Sequence, residues 1–155
     1  MAKKSETIPV KEYAQVLLEI KKQIEQSQAE AIAAINLSLN KRNWLIGKII
    51  VDKQKEHEWG SNFLERLAKD MQDMAPGSEG FSVANIYRMK AFYEAYEEIR
   101  AAAREFEDIP IFRIPWFHNV ILLQKLKNNP ERLWYAQKSI EYGWSRDKAS
   151  RNYRE

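Results

Sequence analysis

The sequence predicts a mainly α-helical domain, with a helix-turn-helix or winged-helix-like core and a long N-terminal helical arm. Three observations carry that expectation. Apolar residues from Tyr13 onward recur at steps of three and four, serine, glycine and proline stand at the joints between such stretches, and only Ile109 to Ile114 alternates as a strand does.

Residues 1–9 contain two lysines and no apolar run, and read as a disordered start. From Val10 to about Glu56 the pattern is helical: Tyr13, Val16, Leu17, Ile20, Ile24, Ala31 and Ile35 follow one another at helical spacing, with no proline after Pro9. Residues 10–56 are therefore expected to form the arm. Asn36 to Asn43, NLSLNKRN, is poor helix sequence and predicts a break, after which Trp44, Leu45, Ile49 and Ile50 begin a second apolar face. A helix of roughly 40 residues is longer than a small core can cover. The face bearing Tyr13, Leu17, Ile20, Ile24, Ala31 and Ile35 is thus a candidate for packing against a second copy, making a homodimer, with a fold-back inside one chain as the alternative.

Residues 57–155 read as the helix-turn-helix-like part. In EWGSNFLERLAKDM, Gly60 suits a tight connection, and Ser61 suits the cap of a helix burying Phe63, Leu64, Leu67 and Met71. APGSEG ends that helix, and Ser82 caps the next, which runs to about Arg104 and turns Ile86, Met89, Phe92, Tyr93 and Tyr96 inward. Helix, glycine-containing turn and serine-capped helix have the form of a helix-turn-helix, with a longer turn than usual. Pro110 and Pro115 then forbid an uninterrupted helix, so the alternating Ile109, Ile111 and Ile114 predict a short extended piece that could serve as a wing. Trp116 to about Lys127 is helical again, Pro130 sits in the first turn of a helix reaching Tyr142, and Gly143 closes it. Ser145 opens a last helix carrying Arg146, Lys148, Arg151 and Arg154, with no stop signal, so a continuation into a longer protein is expected.

Composition narrows the function. A chain of 155 residues with 45% apolar content suits one compact domain plus an arm. It has no cysteine, which excludes disulfides and thiolate metal sites and points to a reducing, cytoplasmic setting. No segment approaches the roughly 20 apolar residues of a membrane span. The net charge is +3, but lysine and arginine number 16 against 18 acids in residues 1–112 and 9 against 4 in residues 113–155. That basic excess suits phosphate contacts and equally suits a solvated surface.

Nothing in the pattern asks for a metal, a cofactor or a reaction in this chain. His57 and His118 are the only histidines and lack a ligand partner at metal-site spacing; His118 reads as a hydrogen-bonded residue at a helix start. The glycines are scattered singly, so no phosphate loop is present, and no acid cluster stands beside a lysine as a magnesium nuclease requires. A binding role has more material. Away from its core face the Ser82 helix offers Ala84, Asn85, Tyr87, Arg88 and Ala91; asparagine and arginine can pair with adenine and guanine edges, and a small alanine permits close approach. Lys90, together with Arg146, Lys148 and Arg151 on the helix after Ser145, could hold phosphates. The expected partner is double-stranded DNA; the alternative is a protein-interaction module in which the arm does the binding.

Five ordered blocks, NWLIGKII from Asn43, WGSNFLERLAKDM from Trp59, GFSVANIYRMKAFYEAY from Gly80, IPWFHNVILLQKLKN from Ile114 and RLWYAQKSIEYGWSRDKASR from Arg132, resemble the N-terminal domain of the YhcG-like family. The resemblance covers nearly everything after residue 10. It implies a helical, winged-helix-like DNA-binding domain followed in the family by a nuclease domain of the PD-(D/E)xK type, so that catalysis would lie outside this chain. Asn43 departs from the family, which usually places an aromatic residue before the tryptophan, so this face is not expected to pack identically.

Overall fold

A computed structural model of the chain describes residues 7–77 and 80–143. Five α-helices account for most of them: α1 (Val10–His57), α2 (Asn62–Met74), α3 (Val83–Ala102), α4 (Trp116–Lys125) and α5 (Asn129–Tyr142), with two 3-10 turns at Phe106–Asp108 and Pro110–Phe112. The mainly α class is as expected. No strand occurs among the described residues.

The chain divides into two compact units, residues 1–35 and residues 36–155. In the first, every residue from Thr7 to Ile35 is exposed, and Val10 onward is helical. The boundary falls inside α1, some twenty residues before the end expected for the arm, because Asn40, Asn43, Trp44, Gly47, Ile50 and Val51 on its C-terminal part are buried in the second unit.

The break expected at residues 36–43 does not occur; α1 is continuous through it. Asparagine weakens helices when its amide competes for nearby backbone. Here the amides are engaged elsewhere. Asn36 donates to the Arg113 carbonyl, and Asn40, fully buried, donates to the carbonyls of Ile111 at 3.4 Å, Phe112 at 3.1 Å and Ile114 at 2.6 Å. Asn119 on α4 donates to Asn40 Oδ1 at 3.2 Å and to the Ile111 carbonyl at 2.8 Å.

That arrangement corrects the expected wing. Ile109, Ile111 and Ile114 are all buried, but their segment folds as 3-10 turns, with Pro110 opening the second. Prolines deny it both an unbroken helix and a full set of strand donors. Its buried carbonyls find side-chain amides from α1 and α4 in place of a neighbouring strand, which satisfies them without a sheet.

Two apolar clusters fill the second unit. Phe92 centres the larger, with edge-on contacts to Tyr96 at 5.3 Å, Phe112 at 5.5 Å and Trp116 at 5.1 Å. The smaller joins Ile50, Leu64, Ala68, Ile86 and Met89. Close approach of α1 and α3 depends on Gly47: a Cβ there would stand 2.9 Å from the Cβ of Tyr93 and closer still to the Met89 carbonyl oxygen. The inward residues expected for α3 are all buried.

The joints follow local rules, with one correction. Ser82 has extended backbone and its hydroxyl accepts from the Asn85 N–H at 3.1 Å, capping α3 as expected. Ser61 makes no such bond; its backbone is already helical, and α2 is tied in by Phe63 N–H to the Gly60 carbonyl and Leu64 N–H to the Ser61 carbonyl. Just before it, Glu58 takes a left-handed φ of 56° and the Trp59 N–H returns to the Gln54 carbonyl, a helix-ending pattern usually built on glycine. Asn128 caps α5 through the Glu131 N–H, and Gly143 ends it with φ of 59°.

Candidate functional site

The Ser82 helix presents its first turns as the pattern suggested, with one exception. Ala84, Tyr87, Arg88 and Ala91 are exposed, and Lys90 is half-buried. Asn85 is not on that surface. It is buried, its amide nitrogen bonds to the Gly80 carbonyl, and its Oδ1 accepts from Trp116 Nε1 at 2.9 Å. Both ends of the amide are thus occupied in holding the α2–α3 turn and the start of α4. Gly80 has φ of 102°, a conformation only glycine adopts without strain, which brings its carbonyl round to Asn85. Asn85 therefore positions α3, and its role as a base reader does not fit its place.

Tyr87 and Lys90 border an open cleft of about 370 Å³, which the end of α1 and the α1–α2 turn complete with Lys55, Trp59 and Ser61. Val51 and Leu64 also line it, as does Glu94. Trp59 is 47% exposed and Tyr87 40% exposed, so two aromatic rings stand at a surface that also carries two ammonium groups. The Trp59 ring is braced by His57, stacked at 4.5 Å, and by Phe63 at 4.9 Å. Trp59 also borders a second cleft, about 530 Å³, whose charged walls are Arg66 against Glu58 and Asp70, a net acidic lining. The first turn of α3 contains no acid, whereas Glu94, Glu97 and Glu98 follow further along and are exposed. On α3 the cations Arg88 and Lys90 thus lie in the second turn, ahead of these acids, and Lys90 shares its cleft with Lys55 from the end of α1.

His118 is a core residue. It is buried, with Nδ1 3.2 Å from Ser139 Oγ, and burial lowers its pKa below the ordinary 6.5. Among the described residues no group of three or more His, Cys, Asp or Glu could hold a metal ion, and no helix is long and apolar enough to cross a membrane.

With this arrangement established, comparison with known families is informative. The model of the DUF1016 N-terminal domain matches residues 19–155. The chain belongs to that family. It is the N-terminal domain of YhcG-like proteins, as the five sequence blocks suggested. No curated protein and no solved structure matched.

Arg42 of this DUF1016 N-terminal domain links α1 to the turn before α3. Asn43 is buried, and its Oδ1 accepts from the Arg42 guanidinium at 3.1 and 3.2 Å; that guanidinium lies 5.5 Å from the centre of the Phe81 ring. The asparagine thus orients Arg42 against the turn that leads into α3.

Of the other expected site residues, Ser145, Arg146, Lys148 and Arg151 lie outside the described residues. Tyr13, Leu17, Ile20, Ile24, Ala31 and Ile35 are all exposed on the arm. Sequence reasoning did not find Lys55 and Trp59. The available signal was an exposed-type pair, lysine and tryptophan four apart at a helix end, which becomes informative only when α3 is set beside it.

Proposed function

We propose that this domain binds double-stranded DNA through the first two turns of α3 and the adjoining end of α1. The observation that carries the reading is the convergence of Lys55, Lys90, Trp59 and Tyr87 on one open cleft, with Arg88 exposed on the same helix turn as Tyr87. Ammonium and guanidinium groups engage phosphates, and aromatic faces pack against sugars and unstacked bases. Ala84 and Ala91 leave the helix surface low enough for close approach. Because Asn85 is occupied inside the fold, Arg88 is left as the residue able to make bidentate contacts to a base edge, and the domain positions itself chiefly on the backbone. Weak sequence preference follows. In this reading the nuclease chemistry associated with the family resides in another domain, and this one supplies DNA contact.

Fluorescence anisotropy against a labelled random duplex tests the reading. Binding is expected at low salt, weakening by roughly 0.9 log units per phosphate contact for each tenfold rise in salt. Lys55→Ala/Lys90→Ala should lower the slope by about two contacts' worth and Arg88→Ala by about one. Failure of the wild-type chain to bind at low salt and micromolar concentration would overturn the proposal.

A further inference from the structure

The cleft between the end of α1 and the start of α3 has walls of three chemical kinds, and a DNA backbone matches only one of them. Lys55 and Lys90 suit phosphate. Beside them stand two exposed aromatic side chains, Trp59 and Tyr87, together with the exposed carboxylate of Glu94. The wall also holds an acceptor without a donor. Gln54 lines the cleft with its Nε2 engaged on the Gly60 carbonyl at 3.3 Å, while its Oε1, nearly closed to bulk solvent, makes no hydrogen bond. A buried acceptor in that state costs free energy until a donor is supplied.

We infer that this cleft receives one unstacked base with its phosphate, so that the domain favours DNA in which a duplex gives way to a single strand over DNA paired throughout. This rests on the DNA-binding reading of the same site and narrows it to a kind of DNA. The phosphodiester backbone carries hydrogen-bond acceptors and no donor, so it answers Lys55 and Lys90 but offers nothing to Gln54 Oε1 or Glu94. Base edges supply what is missing, since adenine, cytosine and guanine each carry an exocyclic amino donor. In a continuous duplex those bases are paired and their faces are covered by their neighbours. An unpaired base is free to lay its face on an aromatic ring. The Trp59 ring is already held for this by His57, stacked at 4.5 Å, and by Phe63 at 4.9 Å, which lowers the cost of ordering it on binding. Charge and size agree. A run of phosphates crossing the cleft would pass the Glu94 carboxylate, which repels them, whereas one nucleotide can set its phosphate by the lysines and its amino edge toward the acid. A cleft of about 370 Å³ is at the small end of the roughly 300–1,000 Å³ typical of small-ligand sites, which suits a nucleotide and not a double helix. Arg88, exposed one residue beyond Tyr87, is left for the paired part of the DNA.

Anisotropy titrations of the full chain with three labelled DNAs, matched in number of phosphates, read the preference. One is a blunt duplex, one a duplex with short unpaired tails of dA and dC, and one the tailed duplex with abasic tails. The tailed DNA should bind at least about fivefold more tightly than either of the others, the lower end of what one base stacked on an aromatic side chain supplies. Trp59→Ala should bring the ratio of tailed to abasic affinity close to one. Gly60→Leu should do the same by adding a side chain at the cleft's rim; a Cβ there meets nothing within 4 Å and Gly60 has no left-handed φ, so the backbone accepts it. Equal wild-type affinity for all three DNAs, with salt-sensitive binding retained, would overturn the base pocket and leave the duplex reading standing. No binding to any of them at low salt would overturn both. A preference for the tailed DNA that survives Trp59→Ala would overturn its assignment to this cleft.

Discussion

The two ends of α1 share one backbone and differ in everything that surrounds it. From Val10 to Ile35 the helix is rich in alanine and long polar side chains, which favour helix locally, and none of its apolar residues is buried. From Asn36 to Val51 it carries three asparagines and a glycine, which disfavour helix, and it runs through the core. Local propensity is high where tertiary support is absent and low where tertiary support is greatest. Propensity differences amount to at most about 1 kcal/mol per residue, and packing and buried hydrogen bonds exceed that easily.

Substitutions matched across this divide sharpen the contrast. The largest effect is expected at Asn40. Asn40→Ala strips the side-chain donor from the Phe112 and Ile114 carbonyls, leaves the Ile111 carbonyl to Asn119 alone, and should lower stability by about 4 kcal/mol, since each group left unsatisfied costs about 1–3 kcal/mol. Asn36→Ala, whose single long bond reaches one carbonyl, should cost far less. Urea unfolding followed by circular dichroism separates them, and equal midpoints would refute the bracing role of Asn40.

Isoleucine gives the next comparison. Ile50 is buried at 1% exposure, so Ile50→Ala should cost about 3 kcal/mol. Ile20, half exposed on the same helix, should cost under about 0.5 kcal/mol as Ile20→Ala when the chain is diluted to monomer. A loss at Ile20 that grows with protein concentration would be the signature of arm pairing.

The smallest effect concerns pH and lies wholly in the second unit. His118 has a folded-state pKa below its unfolded value of 6.5 because burial disfavours the charged ring. The unfolded chain then binds the proton more readily, so stability is full above about pH 6.5 and declines as pH falls below it, towards the lower folded pKa. His118→Gln should flatten that decline in unfolding midpoints measured from pH 7.5 to 5. An unchanged slope would place the titration elsewhere.

Much of the helical order was legible beforehand. Ser82, Pro130 and Gly143 mark boundaries through bonds that span a few residues, and the inward face of α3 follows from spacing alone. Ser61 misled because several devices can start a helix, and the backbone there used carbonyls in place of the hydroxyl. Asn85 was placed outward for the same kind of reason. An asparagine in the first turn of a helix has the composition of a DNA reader, and only Gly80 and Trp116, five residues before it and thirty-one after, show what its amide holds.

Taken alone, then, the sequence determined the helical class, most helix ends and the apolar stripe of the arm, because propensity, capping and periodicity act over a turn or two. Tertiary structure decided the rest. Whether residues 36–43 continue α1, whether Ile109 to Ile114 form a strand, and which side chains share the cleft with Tyr87 all turn on partners far away in sequence. Asn40 and Ile114 are 74 residues apart, and that bond exists only after α1, α4 and the proline-interrupted turns are packed together.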